Sequence, residues 1–189
     1  MSENKEVIHQ EQYLTFYLSG EEYAISILQV KEIIEYGAVT RVPSTPLSIR
    51  GVINVRGSVV PVVDLAVRFG LPENPVTSRT CIVIVEVDLD GERAMMGIVA
   101  DAVSQVIELT AGEIVPPPAF GIPVRVDYLV GIGKLGRKFV LLLDINRVLT
   151  TEYGSTAASL RGMETESNLP ANDGTLKSGL ETAYDQSAR

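Results

Sequence analysis

Apolar and polar positions alternate with a period of two along most of the first 150 residues, the signature of half-buried strands. Leu14, Phe16 and Leu18 share one side of the run Tyr13–Leu18. Ser19-Gly20-Glu21-Glu22 breaks the run as a turn, and Tyr23, Ile25 and Ile27 resume it, which predicts a hairpin. Val30–Tyr36 fits either a strand or one helical turn. Pro43 and Pro46 enclose a loop. Gly51–Val55 and Ser58–Leu65 read as two strands with Arg56-Gly57 at their turn. Residues 70–79 form a connector rich in turn residues. Cys81–Val85 is apolar at every position, which predicts a strand covered on both faces. Asp90-Gly91 marks a further hairpin, returning through Ala94–Val99. A second proline-rich loop spans 115–123, and Tyr128–Ile132 and Lys138–Ile145 read as two more strands.

The pattern repeats. YAISILQVKEIIE (23–35) lies over MGIVADAVSQVIE (96–108) without a gap, and Val42-Pro43 and Val115-Pro116 keep the same offset of 73. GVINVRGSVVPVVDL (51–65) lies over GIGKLGRKFVLLLDI (131–145) at an offset of 80, with the first glycine and the terminal Asp64 and Asp144 in register. The second copy therefore gains seven residues in or after its proline loop. Two copies of a five-strand unit are implied, each small for a core of its own. Short antiparallel strands with tight turns predict barrel-like closure, an all-β fold, and a groove between the units as the binding place.

Composition narrows the class. Hydrophobic residues make up 46% of the 189-residue chain, and Val and Ile dominate its middle, favouring strands. The formal net charge is -8 and no basic cluster interrupts it, which argues against nucleic acid as a partner. One cysteine, Cys81, leaves no internal disulfide and fits a reducing compartment. No apolar run approaches a membrane span, and the polar start, MSENKEVIHQEQ, has no signal-peptide core. The expectation is a cytoplasmic protein with no direct membrane insertion. Residues 1–11 read as a flexible leader. From 151 to 189 large apolar groups are few, which predicts a mostly disordered tail with at most a brief helix in LRGMETESNL.

Candidate chemistry is sparse. GIGKLG, Gly131–Gly136, matches the glycine fingerprint of dinucleotide-binding turns, but a strand pattern follows where a helix is required. The only histidine, His9, lies in the leader, so no histidine-based triad or general base is placed. Cys81 sits inside an apolar strand and reads as a structural thiol. No Cys/His set has zinc spacing, and no cofactor is expected. Asp64 and Asp144 read either as a carboxylate pair or as strand ends stopped by side-chain to backbone bonds; the repeat favours the second. The prolines at 116–118 read as a stiff loop in preference to a polyproline ligand. Arg56 stays open: a guanidinium clamping a partner's carboxylate, a solvated turn residue, or an internal ion pair with Glu32 or Glu35. The chain is read as a non-enzyme.

NVRGSVVPVVDL, with TRVPSTPLSIRGVI before it, resembles the NLRG-x-x-V-P-x-x-DL signature of CheW-type chemotaxis coupling proteins. EEYAISILQVKEI, MGIVADAVSQVI, LTAGEI and YLVGIGKLG resemble the family's other stretches in the same order. The likeness covers about 12–150; Val55 stands where Leu is usual, and the tail has no counterpart. The resemblance implies two SH3-like five-stranded β-barrels, intertwined in one domain, with the halves changing over near 70–79. It implies an adaptor between the cytoplasmic hairpin of chemoreceptors and the regulatory domain of the chemotaxis histidine kinase, recruited to membrane-associated receptor arrays. Family receptor contacts fall at Val30, Glu32, Gly51, Arg56, Val103 and Val106. The kinase contact maps to the surface around Ser48, Ile49, Arg50 and Val59. In the helix-in-groove mode, the valines would meet an apolar stripe, with Glu32 as a polar handle or as the group orienting Arg56. A pilus or gliding chemosensory pathway is the alternative setting.

Overall fold

A computed structural model describes residues 10–89, 91–118 and 124–150. The leader up to His9, Asp90 of the third hairpin, the end of the second proline loop and the tail with its expected helix lie outside these residues. The strands are β1 (Gln10–Leu18), β2 (Glu21–Ser26), β3 (Val30–Glu35), β4 (Ile49–Val55), β5 (Ser58–Asp64), β6 (Cys81–Leu89), β7 (Glu92–Ala100), β8 (Ala102–Thr110), β9 (Ile114–Val115), β10 (Leu129–Leu135) and β11 (Lys138–Leu143). Among the described residues, helix is confined to a single turn, α1 (Leu65–Arg68), three 3-10 turns and residues 145–150. The fold is all-β, built as two small SH3-like barrels.

The strands form two sheets, ordered β8-β1-β2-β11-β10-β9 and β3-β6-β7-β5-β4. The sequence repeat equates β2 with β7, β3 with β8, β4 with β10 and β5 with β11. Each sheet therefore takes its first hairpin from one copy and its remaining strands from the other. The β1–β2 hairpin completes the barrel of the second copy, and the β6–β7 hairpin completes that of the first. The exchange keeps register. β2 and β11 run parallel with Ala24 opposite Leu142, and β7 and β5 run parallel with Gly97 opposite Val62, the repeat-equivalent pair.

β5, ending at Asp64, and β11, ending just before Asp144, stop for the same local reason. The Asp64 side chain accepts a bond from Val67 N at 3.0 Å and caps α1. Asp144 accepts from Arg147 N at 3.1 Å and caps the helix at 145–150. A side-chain oxygen that satisfies an orphan helix N–H stops the ladder and starts a turn. The strands predicted to run through Leu65 and Ile145 stop at Asp64 and Leu143.

Each barrel has a small interior core. Val55, Val60, Val62, Ile82, Ile84 and Val99 fill one; Tyr13, Ala24, Ile107, Leu109, Val140 and Leu142 fill the other. The largest cluster lies between them and draws on both sheets, including Phe16, Tyr23, Val63, Val83, Ile98 and Leu143. Packed side chains thus occupy the space between the barrels, and the groove expected there is reduced to the margin of this cluster. Cys81 is buried, its Sγ 4.0 Å from the Ala100 carbonyl, and burial pushes the thiol pKa up. Raised and buried, it lacks the thiolate character of a nucleophile.

Candidate binding surface

The Arg56 side chain is presented by a two-residue turn. Val55 and Ser58 close the β4–β5 hairpin, and Arg56 and Gly57 both take positive φ, 51° and 90°. That is the primed turn whose twist suits a tight hairpin. Asn54 Oδ1 accepts from Gly57 N at 2.8 Å and holds it. Arginine in the left-handed region costs roughly 1–2 kcal/mol. Glu32 Oε2 lies 2.6 Å from Arg56 Nη2, yet the Arg56 side chain remains 84% exposed. Of the readings left open, the structure shows the ion pair with Glu32 and leaves the clamp on a partner's carboxylate open. The pair joins β3 to the turn that follows β4, β3 and β4 being the two outer strands of their sheet. An exposed pair of this kind contributes at most ~1 kcal/mol to stability, so the guanidinium stays available to a partner.

Glu32 owes its position to a bulge. Val30 stands opposite Val85 and Glu32 opposite Ile84, so β3 carries one extra residue between them. The extra residue resets the alternation: Ile34 and Tyr36 pack onto the interior cluster, while Ile33 is 45% exposed. β8 repeats the device, with Phe16 opposite Val103 and Leu14 opposite Val106. Thr15 pins that bulge by donating to Gln105 O and accepting from Gln105 N. Val30 and Val103, repeat equivalents, both pack against the margin of the central cluster. Val106, equivalent to Ile33, is 50% exposed. The fold therefore brings Glu32 and Arg56 into contact and places Val30 and Val103 on one shared core.

The remaining expected contacts are placed differently. Gly51 is buried, with φ +142°, and a Cβ there would stand 2.1 Å from the Thr40 carbonyl oxygen. Its lack of a side chain lets the Thr40 segment bond Val52 in both directions, at 2.9 and 2.8 Å. Gly131 repeats the role: a Cβ there would stand 2.6 Å from Ile114 Cγ2 and 3.0 Å from Val115 O, and the register shifts beside each glycine, between Ile49 and Gly51 and between Leu129 and Gly131. Gly51 is thus a backbone requirement of the strand. Ser48 and Ile49 are buried; their side chains support a surface without forming it. Arg50 is also turned inward: Nε and Nη2 bond Asp64 Oδ2 at 3.0 and 2.6 Å, and Nη1 bonds Glu73. Burial alone would lower the Arg50 pKa, but the bonds to Glu73 and Asp64 outweigh it and raise it. Arg50 in turn holds the Glu73 carboxyl below its usual range. Of the four residues expected at the kinase contact, Val59 is the one whose side chain stands out, at 45% exposed.

One feature had no sequence signal strong enough to single it out. An open cleft of about 550 Å³ is lined by Leu47, Ser48, Arg68, Phe69, Arg125 and Tyr128, among others. Arg68 and Arg125 lie 5.8 and 5.2 Å from the Tyr128 ring centroid, and Leu47 is 92% exposed. The repeat places Ser48 and Tyr128 in equivalent positions, but it says nothing of the arginines that α1 and the loop before β10 bring to them. Among the described residues no group of three or more His, Cys, Asp or Glu side chains could hold a metal ion. GIGKLG runs along β10 into the hairpin with β11, so no helix receives a phosphate there. No helix among the described residues is long and apolar enough to cross a membrane.

Two intertwined barrels, an exposed turn arginine and two bulged strands against one shared core define a class of small all-β protein built by exchange of hairpins between two repeats. The chain belongs to the CheW-like domain family, whose model matches residues 12–152. It is 42% identical over 147 residues to a protein named chemotaxis protein CheW from Klebsiella aerogenes, covering 78% of this chain and 86% of that one. It is 36% identical to the chemotaxis protein CheW of Bacillus subtilis over 78% and 92% of the two chains. The Myxococcus xanthus protein FrzA is 27% identical over 75% and 87%. Among solved structures, the scaffolding protein TtCheW from Thermoanaerobacter tengcongensis superposes with a TM-score of 0.68 at 30% identity, covering 76% of this chain and 95% of that one.

Proposed function

We propose that this chain is a non-enzymatic adaptor of bacterial chemotaxis signalling. It couples the cytoplasmic hairpin of chemoreceptors to the regulatory domain of the chemotaxis histidine kinase, and so controls kinase activity and array assembly. It works in the cytoplasm, recruited to membrane-associated receptor arrays through these contacts. Membership of the CheW-like family supports the class. The observations that carry the receptor contact are an 84% exposed Arg56, held by Glu32, and Val30 and Val103 packed against the same central cluster. A receptor helix would lay its apolar stripe along Val30, Val103 and Val106 and present a carboxylate to Arg56. Val59 marks the kinase contact, with Ser48, Ile49 and Arg50 bracing the strand beneath it.

The test is a binding measurement on the full chain with purified receptor hairpin and with the purified kinase regulatory domain. Arg56→Ala should weaken receptor binding by about 1–3 kcal/mol, the size of a charge-assisted bond at a contact centre. Kinase-domain binding and the circular dichroism spectrum should stay unchanged. Equal loss of both partners, or no loss of either, defeats the assignment of Arg56 to the receptor. The likeness to FrzA supports a second reading, in which the same module serves a pilus or gliding chemosensory pathway. Binding of the kinase domain without any flagellar-type receptor hairpin would favour that reading.

A further inference from the structure

The folded part of the chain ends at the margin of the cleft beside Tyr128. Asp144 N donates to Tyr128 O at 2.8 Å, and Arg147 Nη1 to Asp127 O at 3.5 Å, so the helix at 145–150 is bonded to the 3-10 turn Val126–Tyr128. Arg68, which lines the cleft, donates from Nε to Val148 O at 3.1 Å and from Nη2 to Tyr128 Oη at 3.4 Å. One arginine side chain thus spans the distance from the cleft to a residue two positions before Thr150. The chain beyond Thr150 sets out from there.

We propose that this cleft is the docking site of a segment of the chain's own tail, Leu160–Leu169. The cleft offers apolar contact at Leu47, which is 92% exposed, and at Phe69, with two arginines over the Tyr128 ring. Arg125 is paired with Asp127 at 3.0 Å, but both side chains are exposed, so water screens the pair and the guanidinium can take a second carboxylate. The tail has the opposite charge: residues 151–189 carry six acidic against three basic side chains. LRGMETESNL is the part nearest the fold that sets several large apolar groups, Leu160, Met163 and Leu169, beside two acids, Glu164 and Glu166. The apolar groups would meet Leu47 and Phe69, and the carboxylates the arginines. Length permits it, since the ten residues from Thr150 to Leu160 span up to about 35 Å when extended. The tether also holds the segment at an effective concentration on the order of 1 mM, so a contact too weak to form between separate molecules is populated. The inference depends on neither the receptor contact nor the kinase contact proposed above.

The experiment is nuclear magnetic resonance on the full, isotope-labelled chain with a nitroxide at Ala171→Cys, just past the segment. Cys81 is buried and its thiol pKa is pushed up, so it stays unlabelled near neutral pH. The amide signals of Ser48, Gly70 and Tyr128 should fall by about half or more relative to the reduced nitroxide, as for a tethered segment docked at least half the time. Gly57, in the turn at the far end of β5 from α1, should keep its signal. Arg125→Gln on the cleft, and separately Glu164→Gln with Glu166→Gln on the tail, should each restore most of the lost intensity. The Arg125 pair is exposed, so the circular dichroism spectrum should not change. Absence of a selective loss at the cleft overturns the proposal and leaves the cleft to an outside partner. A loss that either charge variant leaves unchanged overturns it too, because the arginines would then not be reading the tail's acids. So does a loss that appears when isotope-labelled chains lacking the nitroxide are mixed with unlabelled chains that carry it, since a second copy would then fill the cleft.

Discussion

Asp64 and Asp144 sit at equivalent points of the repeat and cap equivalent turns, but they differ in what else they hold, so each serves as the control for the other. Asp64 accepts two bonds from Arg50, and the side chains are 5% and 13% exposed. Asp144 meets Arg147 at 3.2 Å, with the arginine 67% exposed. Asparagine is as good a helix cap as aspartate, so Asp→Asn keeps the cap at both sites and removes the charge. Breaking a buried ion pair from one side costs about 3–5 kcal/mol, because the other charge is left without its counterion. Glu73 remains bonded to Arg50 but is 61% exposed, so we expect Asp64→Asn to cost about 2–4 kcal/mol. The exposed pair at Asp144 should cost less than about 1 kcal/mol. Urea unfolding measures both without adding ionic strength, read from the midpoint at a common m-value. Losses within about 1 kcal/mol of each other would refute the view that burial separates the two sites, since surface and buried pairs differ by more than that.

The glycine at 51 should be a folding residue before it is a contact residue. Gly51→Ala drives a methyl into the Thr40 carbonyl and is expected to cost about 3 kcal/mol or more, from strain and two weakened ladder bonds. Gly57→Ala, with φ +90° and open space around it, should cost about 1 kcal/mol in the same urea assay; equal losses would remove the distinction. Tyr23 is buried with no bond to its hydroxyl, so Tyr23→Phe should be neutral or raise the melting temperature, and a clear drop would show that the hydroxyl has a partner. Burial, aided by Glu21, pushes the Tyr23 pKa from 10.0 up to about 12. The folded state therefore binds this proton more tightly, and the associated stability, complete below pH 10, is lost as pH rises towards 12. Tyr23→Phe should flatten that alkaline slope in melting curves, and an unchanged slope would assign it to another group.

What the sequence determined by itself was local. Period-two alternation marked most of the strands because each turns one face to a core. Ser19-Gly20 and Arg56-Gly57 announced hairpins because tight turns need positive φ, which glycine supplies without strain. The repeat located equivalent residues, and family motifs pointed to Arg56 and its valines. β8 was visible only through the repeat, since its bulge at Val103–Val106 breaks the alternation. α1 and the helix at 145–150 are too short to show a helical period. Which copy's hairpin completes which barrel was not legible, because the two copies are equivalent and exchange preserves every kind of strand neighbour. The cluster shared by both sheets, joining Phe16 and Tyr23 of one hairpin to Val83 and Ile98 of the other, holds the exchanged arrangement together. The same nonlocal packing turned Ser48 and Ile49 inward, tied Arg50 to Asp64, and left Arg56 and Val59 facing out. Burial and pairing depend on what arrives from distant parts of the chain, and only the tertiary structure decided them.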